Sequence, residues 1–493
     1  MTDSVPPLVA RPAVWPFQAV VGVLLALKLI YFGFAPPIGD EAYYWLWGQR
    51  PSLSYLDHPP LHAWLLGLMS QLFGWNLFSL RALTWVTLAT TVWVISRLSR
   101  RLAPDHARQW FWAALAIYLA SPLMFVMGSI SFNDHLLVAL CLLSALCFLD
   151  FADDWRRGME RFGRLYLAAI FLGLAILTKY NGALLGFGYL GFVLVHPAFR
   201  PLLGRWQTYA AAALSLVLQA PVIYWNLTDG LASYKFHLVD RWNGAAGIDP
   251  VNLLLTIFLD AFSVSFFVIV PMLRLYRGRV AGYPGLARLL AATVLAVSTV
   301  TILVIATLET DVPTYWNIVG YPLALIMIAG TFRSRWGFWL HAVSGTLLIG
   351  LFMINILLVP VRDLVGWSDG TTFSNYDWDK VAAIVATAHA AEPAAFLAAT
   401  RYTTAAQLAF ALRDPAVTDI SDRHTQFNYW FDPKAHIGQN ALLLVAPLVP
   451  IDFAATQFRK VTLLQTIEIR RFGRLAGRYP LYRGEGYCGG TCP

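Results

Sequence analysis

Long apolar runs broken by short polar stretches fill the first 360 residues. Eleven of these runs predict helices, at roughly 17–36, 80–98, 110–128, 135–152, 165–179, 182–196, 207–223, 253–272, 289–308, 317–332 and 336–358. Several are shorter than the ~20 residues that a helix needs to cross a bilayer perpendicularly. The fifth and sixth are parted by Lys179-Tyr180-Asn181-Gly182, where the Asn-Gly pair permits a tight turn. Beyond residue 360 the apolar runs shorten and polar residues return. There, 395–399 and 441–446 read as buried strands and 403–412 as a helix between strands. The pattern predicts a polytopic α-helical membrane domain over 1–361 and a small soluble α/β domain over 362–493, with no internal repeat.

Composition strengthens the membrane reading. The chain is 58% hydrophobic and 13% charged, with a mean hydropathy of +0.58, outside the soluble globular range. Its net charge of +8 does not indicate nucleic acid, because the basic residues sit in short loops between apolar runs. Sixteen arginines, from Arg97 to Arg335, occupy alternate loops, whereas the other loops hold only Arg50, Lys179, Lys235 and Arg241. The arginine-bearing loops are expected on the cytoplasmic side, and an odd number of spans puts the C-terminus outside. Only Arg11 precedes the first span and Pro36-Pro37 follow it, so it reads as an uncleaved anchor, with Lys28 snorkelling or lining the bundle. Cys141 and Cys147 read as packing groups. Cys488 and Cys492 flank Gly-Gly-Thr and predict a small disulfide loop on the oxidising side.

The same parity gathers chemistry on the outer face: Asp40, Glu41, Asp57, His58, Asn133, Asp134, Lys179, His237, Glu309 and Asp311. Charge near a bilayer is costly and usually functional. Asp40-Glu41 reads as a general base beside an orienting or metal-binding neighbour, against the alternative of a helix cap. Tyr43, Tyr44 and Trp45 follow at once and offer aromatic faces to a sugar. Asp57-His58-Pro59-Pro60 holds an acid and an imidazole before a stiff proline pair, for a metal and a phosphate respectively, or for a helix cap. Lys179 at its helix break suits a lipid phosphate. Lys235, His237 and Arg241, with Tyr234 and Trp242, can stabilise a leaving phosphate or form an interfacial belt. Glu309, Asp311, Tyr315 and Trp316 line a further outer loop suited to a sugar or acceptor, and Asp260 is an acid within the eighth span.

Taken in order, Asp40-Glu41-Ala42-Tyr43-Tyr44-Trp45, Asp57-His58-Pro59-Pro60, Asn133-Asp134 and Thr178-Lys179-Tyr180-Asn181-Gly182 resemble the bacterial branch of the protein O-mannosyltransferase-like GT-C glycosyltransferases. That grouping includes lipid A aminoarabinose and galacturonic acid transferases. Arg401-Tyr402 and Gln426-Phe427-Asn428-Tyr429-Trp430 resemble pieces of the outer domain of such proteins. The resemblance implies an inner-membrane enzyme whose active site faces the periplasm. It implies transfer of a sugar from a polyprenyl-phosphate donor to a lipid, glycan or protein hydroxyl, with inversion and with Asp40 as the base. Asp57-His58 stands where the aminoarabinose transferases carry Glu-Lys, and an imidazole is a weaker phosphate partner than an ammonium. A divalent cation near this site is also implied, with Asp57 and Asp134 as its candidate ligands. The rival readings are an O-antigen polymerase or ligase, whose key residues usually lie in a large late loop, and a transporter, whose polar residues would sit mid-membrane in related halves.

Overall fold

The computed structural model describes residues 13–239, 250–277, 280–307, 312–361 and 375–492. The chain runs through helices α1 (Trp15–Phe34), α2 (Gly39–Gln49), α3 (Leu61–Phe73), α4 (Leu77–Leu102), α5 (Ala107–Ala120), α6 (Pro122–Met127), α7 (Asn133–Arg156), α8 (Phe162–Thr178) and α9 (Ala183–Val195). It continues through α10 (Trp206–Val217), α11 (Ala220–Thr228), α12 (Ala232–Leu238), α13 (Pro250–Val264), α14 (Phe266–Leu273), α15 (Gly282–Ala306), α16 (Tyr321–Met327) and α17 (Arg335–Leu357). Helices α18 (Trp378–Ala391), α19 (Tyr402–Leu412) and α20 (Asp452–Thr456) belong to the C-terminal part.

Every one of the eleven apolar runs contains helix. Among the described residues, five helices are long and apolar enough to cross a membrane, or up to eight if each of three bent pairs counts as one span. The bends correct the expectation of unbroken helices. The 253–272 run turns by 95° between α13 and α14, at Ser265, whose φ of 91° is incompatible with helix. The 110–128 run divides at Ser121, because Pro122 disfavours helical geometry in the residue before it. Helices α2, α3, α12, α18 and α20 lie outside the expected runs; all are short, and α3, though apolar, has only 13 residues.

Contacts divide the chain into two compact units: residues 1–28, 58–62 and 83–349, and residues 29–57, 63–82 and 350–493. The second therefore includes far more than the terminal domain delimited from composition.

In the first unit, α7 packs on α8, α8 on α10 and α9 on α15. Small residues permit these approaches, the usual device where no hydrophobic gain separates helix from lipid. A Cβ on Gly188 of α9 would meet Val294 of α15 at 2.5 Å. Polar side chains then tie backbone to backbone: Ser215 Oγ donates to the Ala169 carbonyl at 2.7 Å and Gln219 Nε2 to that of Gly173 at 2.8 Å.

The second unit is built on a five-stranded sheet, order β2-β1-β3-β5-β4. β1 (Phe396–Ala399), β2 (Thr418–Asp419) and β3 (Ala441–Leu444) are parallel, with Ala398 opposite both Thr418 and Leu443. β4 (Phe458–Arg471) and β5 (Arg474–Tyr487) form a long antiparallel hairpin that joins the sheet through β3. α19 is the crossover from β1 to β2. Ligand sites in such sheets gather at the C-terminal ends of the strands. Here that end of β1 leads straight into Arg401-Tyr402. α19 packs on α2, and Gly39 is required where they meet: a Cβ there would lie 2.5 Å from that of Thr403. The disulfide joins Cys488 to Cys492, as expected.

Candidate functional site

The structure distributes the expected residues over two sites, one in each unit. In the sheet-containing unit the centre is α2. Its first turn is capped by Glu41, whose Oε2 accepts the Ile38 amide at 3.2 Å. Neither acid is the N-cap; that position belongs to Ile38. Asp40 and its neighbour have opposite surroundings. Glu41 is fully buried and accepts from Arg81 Nε at 3.0 Å and Nη2 at 2.8 Å. Arg81 also donates to the carbonyls of Tyr31, Ala35 and Pro36, at 3.2, 2.7 and 3.0 Å. All five guanidinium N–H groups are thereby engaged. The pair fastens the C-terminal end of α1 to the start of α2, so Glu41 orients the helix that carries Asp40.

Asp40 is half-buried and lines a pocket of about 130 Å³ with Asn375, Arg401, Tyr402 and Gln407. Tyr402 Oη donates to Asp40 Oδ1 at 3.1 Å. Burial raises the Asp40 carboxyl above its ordinary range; the Tyr402 hydrogen bond opposes this and the charge of Asp57 adds to it. Burial and Asp40 together hold the Tyr402 phenol well above its usual value, so it stays a donor. A second chain of contacts fixes Asp57. Tyr43 Oη donates to Asp57 Oδ2 at 3.1 Å and accepts the Gln426 amide at 2.8 Å, while Gln426 Oε1 accepts the Leu56 amide at 2.8 Å. Arg423 lies 4.0 Å from Asp57 and its guanidinium 4.8 Å over the Tyr402 ring.

The aromatic platform is a correction. Tyr43 and Trp45 are only 2% and 0% exposed, and Tyr44 is partly buried against the same core. Trp45 packs edge-on against Trp75 and Phe410. The reason is the α2–α19 contact, which covers the rings with protein.

In the helical unit, α8 ends at Thr178 and the chain turns through Tyr180–Gly182 into α9. Gly182 is needed for this, since a Cβ there would meet the Ala175 backbone at 2.8 Å. The break holds Lys179 buried, donating to Asp134 Oδ1 at 2.8 Å and Oδ2 at 3.0 Å, 4.6 Å from the centre of the Tyr315 ring. Asp134 lies in the first turn of α7, after Phe132 as N-cap. Lys179 lines a cavity of about 400 Å³ together with His58, Tyr180, Tyr234, His237 and Trp316. The His58 and His237 rings lie 6.3 Å apart. Leu184, Ile302 and Ile305 give the cavity an apolar wall.

Lys235 is exposed and does not line this cavity. Asp260 is buried and accepts Asn317 Nδ2 at 3.1 Å and Tyr321 Oη at 3.2 Å. Arg241, Trp242, Glu309 and Asp311 lie outside the described residues. No three His, Cys, Asp or Glu residues stand together as a metal set among the described residues, and both Asp134 oxygens face Lys179. The donor set expected for a divalent cation is not assembled, so no step is assigned to one.

Comparison with known proteins agrees with this architecture. Residues 57–225 match the family model described as dolichyl-phosphate-mannose-protein mannosyltransferase. Lipid A galacturonosyltransferase RgtD of Rhizobium johnstonii is 25% identical over 252 residues, 49% of this chain; the match spans about half the length of that protein. The crystal structure of ArnT from Cupriavidus metallidurans bound to undecaprenyl phosphate superposes with a TM-score of 0.61 at 17% identity, covering 95% of this chain and 98% of that one. The apo form of the same protein gives 0.60 at 16% identity over 95% and 97%. Together these likenesses show that the chain has a fold like that of ArnT and, over part of its length, a sequence similar to the mannosyltransferase family model and to the galacturonosyltransferase.

Proposed function

We propose that the protein is a multi-pass inner-membrane glycosyltransferase that moves a sugar from a polyprenyl-phosphate donor to a hydroxyl of a periplasmic acceptor, lipid A or another envelope glycan or protein. The observation that carries this reading is the cavity at Lys179. One part offers an ammonium and two imidazoles, and the other is an aliphatic wall. That combination suits a phosphate joined to an isoprenoid chain. The matched relative is named for transfer to lipid A, and the solved relative binds undecaprenyl phosphate.

In this reading the acceptor oxygen attacks the anomeric carbon as its proton passes to Asp40. The bond from that carbon to the phosphate oxygen breaks, and its electron pair leaves with the polyprenyl phosphate. A single displacement inverts the anomeric centre. The raised affinity of Asp40 for a proton makes it a stronger base than an exposed aspartate. Lys179 and the two histidines stabilise the charge that grows on the leaving phosphate, and Asp134 holds Lys179 in place. Arg241 belongs to the same phosphate-binding proposal on sequence grounds.

The test is release of polyprenyl phosphate from a polyprenyl-phosphate sugar by the purified protein when lipid A or another envelope acceptor is added. Acceptor-dependent release is expected. An intact donor after prolonged incubation with each acceptor class would overturn the assignment.

A further inference from the structure

The sheet-containing unit holds a second and larger cavity, of about 650 Å³, to which none of the chemistry above is assigned. Its volume is in the range of pockets that hold small organic ligands. Its lining is mixed in a particular way. Trp75 and Trp378 supply aromatic surface, and Asn76, Asp379 and Arg413 supply hydrogen-bonding groups. Phe34 and Phe78 also line it; they are 76% and 50% exposed and lie at the end of α1 and the start of α4, two helices apolar enough to cross the membrane. Aromatic faces with amide, carboxylate and guanidinium groups are the surroundings of a sugar ring and its hydroxyls. Exposed phenylalanines at span ends suit acyl chains.

Two details support a use for these groups. Arg471 is paired with Asp377 at 3.2 Å, but Arg413 and Asp379 form no salt bridge among the described residues. Arg413 also takes a left-handed conformation, φ 55°, just past α19, where glycine or asparagine is the usual choice. The cavity shares a wall residue with the pocket at Asp40. Gln407 lines both. It is 2% exposed; its Nε2 donates to the Pro37 carbonyl and to Asn375 Oδ1, and its buried Oε1 has no partner among the described residues. A buried amide oxygen left unsatisfied is costly, and a ligand hydroxyl would satisfy it.

We propose that this cavity docks the saccharide headgroup of the glycolipid acceptor, with Gln407 as the residue shared between the docking cavity and the Asp40 pocket. The proposal rests on the glycosyltransferase reading and adds where the acceptor enters.

The test is binding of intact lipids to the full chain in nanodiscs, followed by native mass spectrometry without donor. The probes are lipid A, its water-soluble disaccharide bisphosphate without acyl chains, inorganic phosphate, and phosphatidylglycerol as a lipid without sugar. Lipid A should bind at least tenfold more tightly than phosphatidylglycerol, and the soluble disaccharide should compete while inorganic phosphate does not. Arg413→Asn, which suits the left-handed backbone, and Asp379→Ala each change an exposed side chain and should each weaken lipid A binding at least fivefold with unchanged thermal unfolding. Equal affinity in both variants, equal binding of phosphatidylglycerol, or full competition by inorganic phosphate would each overturn the proposal. Because no donor is present, a failure here is separate from a failure to release polyprenyl phosphate.

Discussion

Asp40 and Lys179 carry the two chemical demands of the proposed transfer, and the residues that touch them make each demand testable. Asp40→Asn removes the proton acceptor without changing side-chain size. General-base catalysis is typically worth about a hundredfold to ten-thousandfold, so kcat should fall by that range while KM for donor changes little. A base must be deprotonated, so activity should fall as pH drops through the Asp40 pKa, and burial places that acid limb above the ordinary carboxylate range. Tyr402→Phe deletes a hydrogen bond to the charged form, which raises the pKa further. The limb in a kcat/KM profile should then move to higher pH; an unmoved limb would assign the titration to another group. Lys179 needs a different design, because removing one partner of a buried ion pair costs about 3–5 kcal/mol by stranding the other. Lys179→Ala alone should therefore lose both stability and turnover. The double variant Lys179→Met with Asp134→Leu should recover much of the stability and none of the turnover. Recovered turnover would reduce the pair to a structural role.

At the scale of elements, the position of Asp40 depends on how α2 meets α19. Gly39 has no room for a side chain, since an added Cβ would press on the first turn of α19 next to Tyr402. Gly39→Ala should push the two helices apart, lengthen the Asp40–Tyr402 hydrogen bond and lower kcat more than it lowers expression. Crowding of this kind usually costs about 1–3 kcal/mol. An alanine variant with wild-type kcat would show that the contact does not set the geometry of the base. The sequence made much of this legible. The apolar runs located the helices, and strands and helix were found near 395–399, 441–446 and 403–412, because both periodicities are carried by consecutive residues. The Lys179 break was legible for the same reason. Less accessible were features made by distant residues. Nothing near Arg81 marks it as the partner of Glu41, forty positions away, although an arginine four residues into an apolar helix is itself unusual. The burial of Tyr43 and Trp45 depends on α19, more than 350 residues later. The β4–β5 hairpin escaped notice because its many exposed positions blur the alternation that marks a strand.

At the scale of the whole molecule, the helical unit has two chemically distinct ends, which decide how it sits in the membrane. At one, arginines at the end of α4, just past α7 and in the first turn of α8 meet a cluster of aspartates: Arg101 with Asp150 at 3.1 Å, Arg157 with Asp153 at 2.7 Å and Arg164 with Asp154 at 2.9 Å. At the other, the start of α7 and the end of α8 meet through Asp134 and Lys179. Helices α7 and α8 are antiparallel neighbours, so one end bears the arginine-rich loops and the other bears the lysine cavity. Arginine in short loops is retained on the cytoplasmic side during insertion. The Gly158 turn should therefore be cytoplasmic and the Lys179 end periplasmic. The end of α17 is expected outside by the same alternation. Alkaline phosphatase, which needs an oxidising compartment for its disulfides, should be inactive when fused after Gly158 and active when fused after Pro360. A cytoplasmic fluorescent reporter should give the reverse pattern at the same two points. An active phosphatase after Gly158 would invert the unit, put the Lys179 cavity in the cytoplasm and remove the periplasmic transfer proposed for it.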